Sequence, residues 1–124
     1  MILCDTNILI EFYKGNPVVV DALRAIGSSN LAISVITMGE LYYGAKDKRE
    51  LRKIQHHLSL IQQIPLDTGI SALLIKLLRD YALSHRLTVP DALIAATAIQ
   101  YNLSLYTLNV KDFHFIPGIQ LHTP

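Results

Sequence analysis

Ten acidic residues are available for chemistry, and their neighbours sort them. Burying an isolated carboxylate is costly, so an acid inside an apolar segment needs a reason to be there. Glu11, Asp21, Asp47, Glu50 and Asp80 lie in amphipathic stretches beside basic or polar residues, and Asp67 stands where a helix cap belongs. Four remain. Asp5 closes the apolar run Met1–Cys4, and Glu40 sits within Ile36-Thr37-Met38-Gly39-Glu40-Leu41-Tyr42-Tyr43. Asp91 opens the small, apolar stretch Pro90–Ala98, and Asp112 follows Thr107-Leu108-Asn109-Val110-Lys111. Each also has an ordinary structural use. Asp5 is a good N-cap, Glu40 fits an exposed helix face, Asp91 completes a capping box with Thr88, and turn chemistry accounts for Asp112. If they converge, however, three or four carboxylates in one cleft raise one another's pKa unless a cation neutralises them. Hard oxygen ligands without His or Cys select Mg2+ or Mn2+ over zinc. Such ions accept phosphate oxygens, so the chemistry implied is metal-assisted attack of water on a phosphodiester.

Convergence depends on the elements that carry these acids. Met1–Cys4 reads as a buried strand, Thr6–Tyr13 as a helix and Pro17–Ile26 as a second helix with proline at its first position. Leu31–Ile33 is a second strand. Ser34 caps a helix expected to reach Lys46, and a more charged helix is expected over Lys48–Gln62. Gly39 inside the first of these costs about 1 kcal/mol relative to alanine, which suggests a close backbone approach. Ile64–Leu66 is an edge-strand candidate, and a long helix follows from Asp67 and Thr68 to His85. Pro90–Asn102 is an almost wholly apolar helix, while Leu103–Thr107 and Ile119–Leu121 read as the last strands. Alternating strands and helices predict a parallel or mostly parallel sheet covered on both faces. Asp5 and Thr107 then follow strands that can be neighbours, with Glu40 and Asp91 on flanking helices beyond the strands' carboxyl ends.

Composition narrows the function classes. The 124 residues fit one domain, 1–124, without a visible linker or repeat. Hydrophobic residues at 51% and charged residues at 17% exclude a disordered chain. A net charge of +1 leaves no wholesale attraction to polyanions, so nucleic acid needs a local basic patch. Lys46-Asp47-Lys48-Arg49-Glu50-Leu51-Arg52-Lys53 is the best such patch, with Lys46, Arg49 and Lys53 expected on one helical face and Lys48 and Arg52 on another; a solvated charged face is the competing reading. Cys4 is the only cysteine, which excludes an intramolecular disulfide and suits a reducing cytoplasm. No export signal or membrane-length apolar stretch is visible. The five histidines lack metal-ligand spacing.

Asp5-Thr6-Asn7-Ile8-Leu9-Ile10, Gly39-Glu40-Leu41 with Gly44, Pro90-Asp91 before Ile94-Ala95-Ala96, and Thr107-x-Asn109-x-x-Asp112-Phe113 occur in order along the chain. Together they resemble a PIN domain of the VapC type, the toxin of a toxin–antitoxin pair. The resemblance implies an α/β three-layer sandwich with a mostly parallel central sheet of four or five short strands flanked by helices. It also implies a Mg2+- or Mn2+-dependent endoribonuclease in which Asp5, Glu40 and Asp91 hold metal. Relatives place a fourth acid at the position of either Asn109 or Asp112; Asp112 is carried over as the ligand and Asn109 as a polar helper. Thr6, Asn7 and Thr107 would orient waters or the carboxylates. Hydrolysis would leave a 5′-phosphate and a 3′-hydroxyl. Relatives are usually homodimers restrained by a small antitoxin, and Leu41, Tyr42 and Tyr43 resemble a docking surface for it, with core packing as the alternative. Nothing reads as a DNA-recognition module.

Other chemistries fit less well. An aspartyl-nucleophile phosphotransferase wants a second acid two residues after the first, where Asn7 stands. A histidine ribonuclease would be indifferent to chelators. A catalytically inactive PIN-like module that binds RNA or a partner is the principal alternative, although it has no energetic reason to keep three acids in apolar surroundings.

Overall fold

The computed structural model describes residues 1–124, ordered as β1 (Ile2–Cys4), α1 (Thr6–Tyr13), α2 (Pro17–Ile26), β2 (Leu31–Ser34), α3 (Val35–Tyr43), α4 (Lys48–Leu58), β3 (Gln62–Ile64), α5 (Thr68–His85), α6 (Val89–Gln100), β4 (Ser104–Tyr106) and β5 (Gln120–Leu121). Short 3-10 turns cover Ser28–Asn30 and Val110–Asp112. The five strands form one sheet in the order β3-β2-β1-β4-β5, and every pairing is parallel.

Strand alternation divides the core between the two faces of this sheet. Leu3, Ala32, Ile64 and Leu105 point to one side, where they pack with Ile70 and Leu77 of α5 and with Ala92, Ile94, Ala95, Ala96 and Ala98 of α6. Cys4, Leu31, Ile33 and Tyr106 point to the other, against residues of α1, α2, α3 and α4. The result is the expected three-layer α/β arrangement. No helix is long and apolar enough to cross a membrane.

Order in the sheet creates the crevice. From β1 the chain passes through α1 and α2 to β2 on one side, then to β3, and α5 and α6 carry it back to β4 on the other side of β1. The carboxyl ends of β1 and β4 therefore flank a topological switch point, where open α/β sheets gather ligands.

Several boundaries differ from the expectations. α3 ends at Tyr43, because Gly44 closes it and the Asp47 carboxylate then caps α4 by accepting from Glu50 N–H at 2.8 Å. α4 stops at Leu58, and β3 begins earlier than Ile64: Gln62–Ile64 pairs with Ala32–Ser34, and Pro65 lies outside the ladder. Pro65 has no N–H to give it. Gly39 lies in open space, which removes the close approach expected there. The crowded glycine is Gly69, whose missing side chain leaves room for Gln100.

Candidate metal and nuclease site

Asp5 follows β1 directly. Its backbone N–H donates to the Tyr106 carbonyl of β4 at 2.9 Å, tying the two strand ends together. Only 5% of Asp5 is exposed. One carboxylate oxygen accepts from Thr6 N–H at 2.8 Å; the other accepts from the Thr107 hydroxyl at 2.8 Å and, more weakly, from the Asn7 amide at 3.4 Å. The N-cap reading is realised on one oxygen, and the other is held by side chains of the loop after β4 and of α1. The loop after β4 is fixed to the same group: Asn109 N–H donates to Thr107 Oγ1 at 3.0 Å and Leu108 N–H to Asn7 Oδ1 at 3.3 Å. Asn109 thus supports Asp5 through its backbone.

Glu40 reaches the site from the exposed side of α3. Thr6 Oγ1 lies 2.9 Å from Glu40 Oε1 and 3.1 Å from Thr37 Oγ1. With one hydroxyl proton, Thr6 donates to the carboxylate and accepts from Thr37. Thr37 is fully buried, and its N–H donates to the Ser34 hydroxyl that caps α3, at 3.3 Å. Thr37 was not among the residues expected to support the site. A threonine in an apolar helix reads as core, and the only available signal was its position three residues before Glu40.

Asp91 comes from the first turn of α6, where its N–H donates to Thr88 Oγ1 at 3.3 Å. Asp112 lies in the 3-10 turn after β4. Burial pushes the Asp5 carboxyl up, the Thr107 and Thr6 bonds pull it down, and the charges of Glu40 and Asp112 push it up again. Asp91 is raised by burial first and then by the Asp5 charge, with smaller contributions from Asp112 and Glu40. Acids from four segments thus share one electrostatic environment. No three His, Cys, Asp or Glu side chains stand close enough to form a ready-made ion cage. The donor chemistry, all carboxylate oxygen, fits a hard divalent cation.

An open recess of about 700 Å3 begins beside Glu40 and is lined by Phe12, Tyr13, Lys46, Lys53, Ile54 and His57 among others. The Phe12 ring stacks on His57, whose Nδ1 lies 2.8 Å from the Tyr13 hydroxyl. Burial lowers the His57 pKa. Of the expected docking residues, Leu41 is a core side chain that also borders this recess, Tyr42 packs partly against the core, and Tyr43 is 94% exposed. Lys46 precedes the cap of α4 and so shares no helical face with Arg49 and Lys53, although it borders the same recess as Lys53.

A PIN domain family model matches residues 2–115. The chain is 36% identical to Ribonuclease VapC10 of Mycobacterium tuberculosis over 126 residues, covering all of this chain and 92% of the relative. Among solved structures, a toxin–antitoxin complex from Klebsiella pneumoniae contains a chain 37% identical, with a TM-score of 0.83 and coverage of 96% and 95%. DNA-bound VapBC from Salmonella typhimurium gives a TM-score of 0.86 at 28% identity, covering 98% and 96%. The fold agrees with these likenesses, and the chain belongs to the PIN-domain family, among its VapC-type toxin ribonucleases.

Proposed function

We propose that this chain is a metal-dependent endoribonuclease toxin in which Asp5, Glu40, Asp91 and Asp112 form the hydrolytic centre. The observation that carries this reading is the buried Asp5 carboxylate at the sheet's switch point, held by Thr107, Thr6 and Asn7, with Thr6 bonded in turn to Glu40. Asp5, Glu40, Asp91 and Asp112 would hold one or two Mg2+ or Mn2+ ions, whose contribution is to polarise a phosphate oxygen and lower the pKa of water. The remaining work falls to the chain. Thr107 and Asn7 hold one oxygen of Asp5 in place, Thr6 N–H holds the other, and the Thr37–Thr6 pair sets the orientation of Glu40. Asp112, rather than Asn109, supplies the fourth acid, since its charge acts on both Asp5 and Asp91. RNA phosphates are met near the site by Lys46 and Lys53 in the recess beside Glu40.

A small antitoxin is the protein partner of this reading, supported by the toxin–antitoxin complexes among the structural relatives. The recess beside Glu40 suits an amphipathic segment, because it combines aromatic walls with lysines and opens onto the catalytic acids. A homodimer is proposed with it, supported by exposed apolar residues on α5 and α6, where Ile75, Leu83 and Val89 project into solvent.

The test is cleavage of a labelled structured RNA pool by purified protein with Mg2+ or Mn2+ and with EDTA, beside Asp5→Asn. Metal-dependent cuts that carry 5′-phosphates and vanish in the variant are expected. Chelator-resistant cuts ending in cyclic phosphates would overturn the hydrolytic carboxylate site.

A further inference from the structure

Five of the chain's 11 Lys and Arg residues fall between Lys46 and Lys53. Within α4, Arg49, Arg52, Lys53 and His56 surround a second open recess, with no apolar residue in its lining. Their spacing of three, four and seven positions makes one continuous stripe along the helix. The division into separate faces expected from the sequence therefore does not hold, since Arg49 and Arg52 border the same recess.

No residue of this stripe forms an ion pair. The molecule's two ion pairs, Lys14–Glu11 and Arg79–Asp80, lie elsewhere. Of the two acids in the basic stretch, Asp47 caps α4 and Glu50 lines the recess beside Glu40 together with Lys46 and Lys53. Arg49 with Arg52, Arg49 with Lys53, and Lys48 with Arg52 repel at helical-neighbour spacing. No ion pair within the chain offsets that repulsion, so an external anion gains by offsetting it.

We infer that Arg49, Arg52, Lys53 and His56 form a distal anchor for RNA phosphates, separate from the catalytic acids. Lys53 borders both recesses and so joins this anchor to the surface beside Glu40. That continuity favours a polyanion over an acidic protein segment, because a strand whose phosphodiester lies at Glu40 has further phosphates to place along its backbone. Guanidinium groups engage phosphate oxygens through paired donors, and Arg49 and Arg52 stand one helical turn apart. The anchor holds the strand without reading its bases. The inference rests on the ribonuclease reading above and assigns the part of the surface that gives that enzyme its RNA affinity.

Binding of a labelled single-stranded RNA can be titrated against salt with Asp5→Asn protein, so that cleavage does not intervene. Arg49→Gln/Arg52→Gln in that background should raise Kd on the order of tenfold and reduce the magnitude of the log–log salt slope by about 1.4, the value for two lost phosphate contacts on a single strand. Lys76→Gln/Arg24→Gln removes the same net charge elsewhere and should alter neither. In the cleaving protein the α4 substitutions should raise KM far more than they lower kcat. An unchanged Kd and salt slope would overturn the anchor, as would an equal response to the control pair. Loss of binding to a poly-glutamate peptide with RNA affinity intact would also overturn it and assign the stripe to an acidic protein. Absence of metal-dependent cleavage by the unsubstituted chain would instead reject the ribonuclease reading, and the binding titration still decides the anchor.

Discussion

The Thr107 hydroxyl shows how much of the site depends on single atoms. It donates to Asp5 Oδ2 and accepts from Asn109 N–H, so it couples the carboxylate to the loop that carries Asp112. Thr107→Val removes a hydrogen bond to a charged group, worth about 1.5–3 kcal/mol, and should slow cleavage by roughly 10- to 100-fold. The bond also pulls the Asp5 pKa down. Its loss should therefore move the acidic limb of the pH–rate profile to higher pH, and Thr107→Ser should restore both rate and profile. A purely structural role would leave the profile in place. The acids themselves were legible because an acid in apolar sequence is energetically anomalous. Thr37 was not legible, because a buried threonine bonded to Thr6 looks the same in sequence as one bonded to its own helix, as Thr97 is to the Leu93 carbonyl.

At the scale of elements, helix starts were easier to read than helix ends. Asp5, Asn16, Ser34, Asp47, Asp67 and Thr88 each occupy an N-cap position and accept from a nearby backbone N–H. Ends are marked less sharply. α3 stops at Gly44 in an ordinary helical conformation, and β3 contains two exposed glutamines, so neither boundary has a hydrophobic signature. β3 is defined instead by the open edge of β2, a tertiary property absent from its own residues. Thr88 bears on the proposed site because α6 presents Asp91 in its first turn. Thr88→Ala should cost about 1 kcal/mol, read as a lower urea midpoint at unchanged slope, and should impair cleavage through a loosened Asp91. Thr88→Ser should recover stability and cleavage together. If stability falls while cleavage is fully retained, the cap does not position the acid.

For the molecule as a whole, burying acids close to one another costs stability unless something neutralises them. Burial raises the folded-state pKa of Asp5 and Asp91 above the unfolded values. Between the two values the folded chain binds more protons, so these groups favour folding at low pH and that contribution is lost as pH rises through the folded pKa. Asp67 behaves oppositely. The Tyr101 hydroxyl and the Ile70 N–H lower its pKa, so its contribution is present at neutral pH and lost on acidification through the folded pKa. The total pH dependence therefore mixes signs, and comparison with a variant isolates the site. Asn at position 5 keeps an oxygen for Thr107 while removing the charge. In EDTA, Asp5→Asn should melt above the parent protein near neutral pH, with a margin that shrinks as pH falls toward the ordinary carboxylate range. A divalent ion that binds the folded state stabilises it by about 2.7 kcal/mol at 100 times its Kd. Saturating Mg2+ or Mn2+ should thus raise the parent Tm by several degrees and the variant's little, reversing their order. Thermal melts of both proteins across pH, with and without the ion, check the two claims together. Equal melting in EDTA at all pH values would show that the buried charge costs the fold nothing, and equal ion-induced shifts would remove Asp5 from the metal ligands.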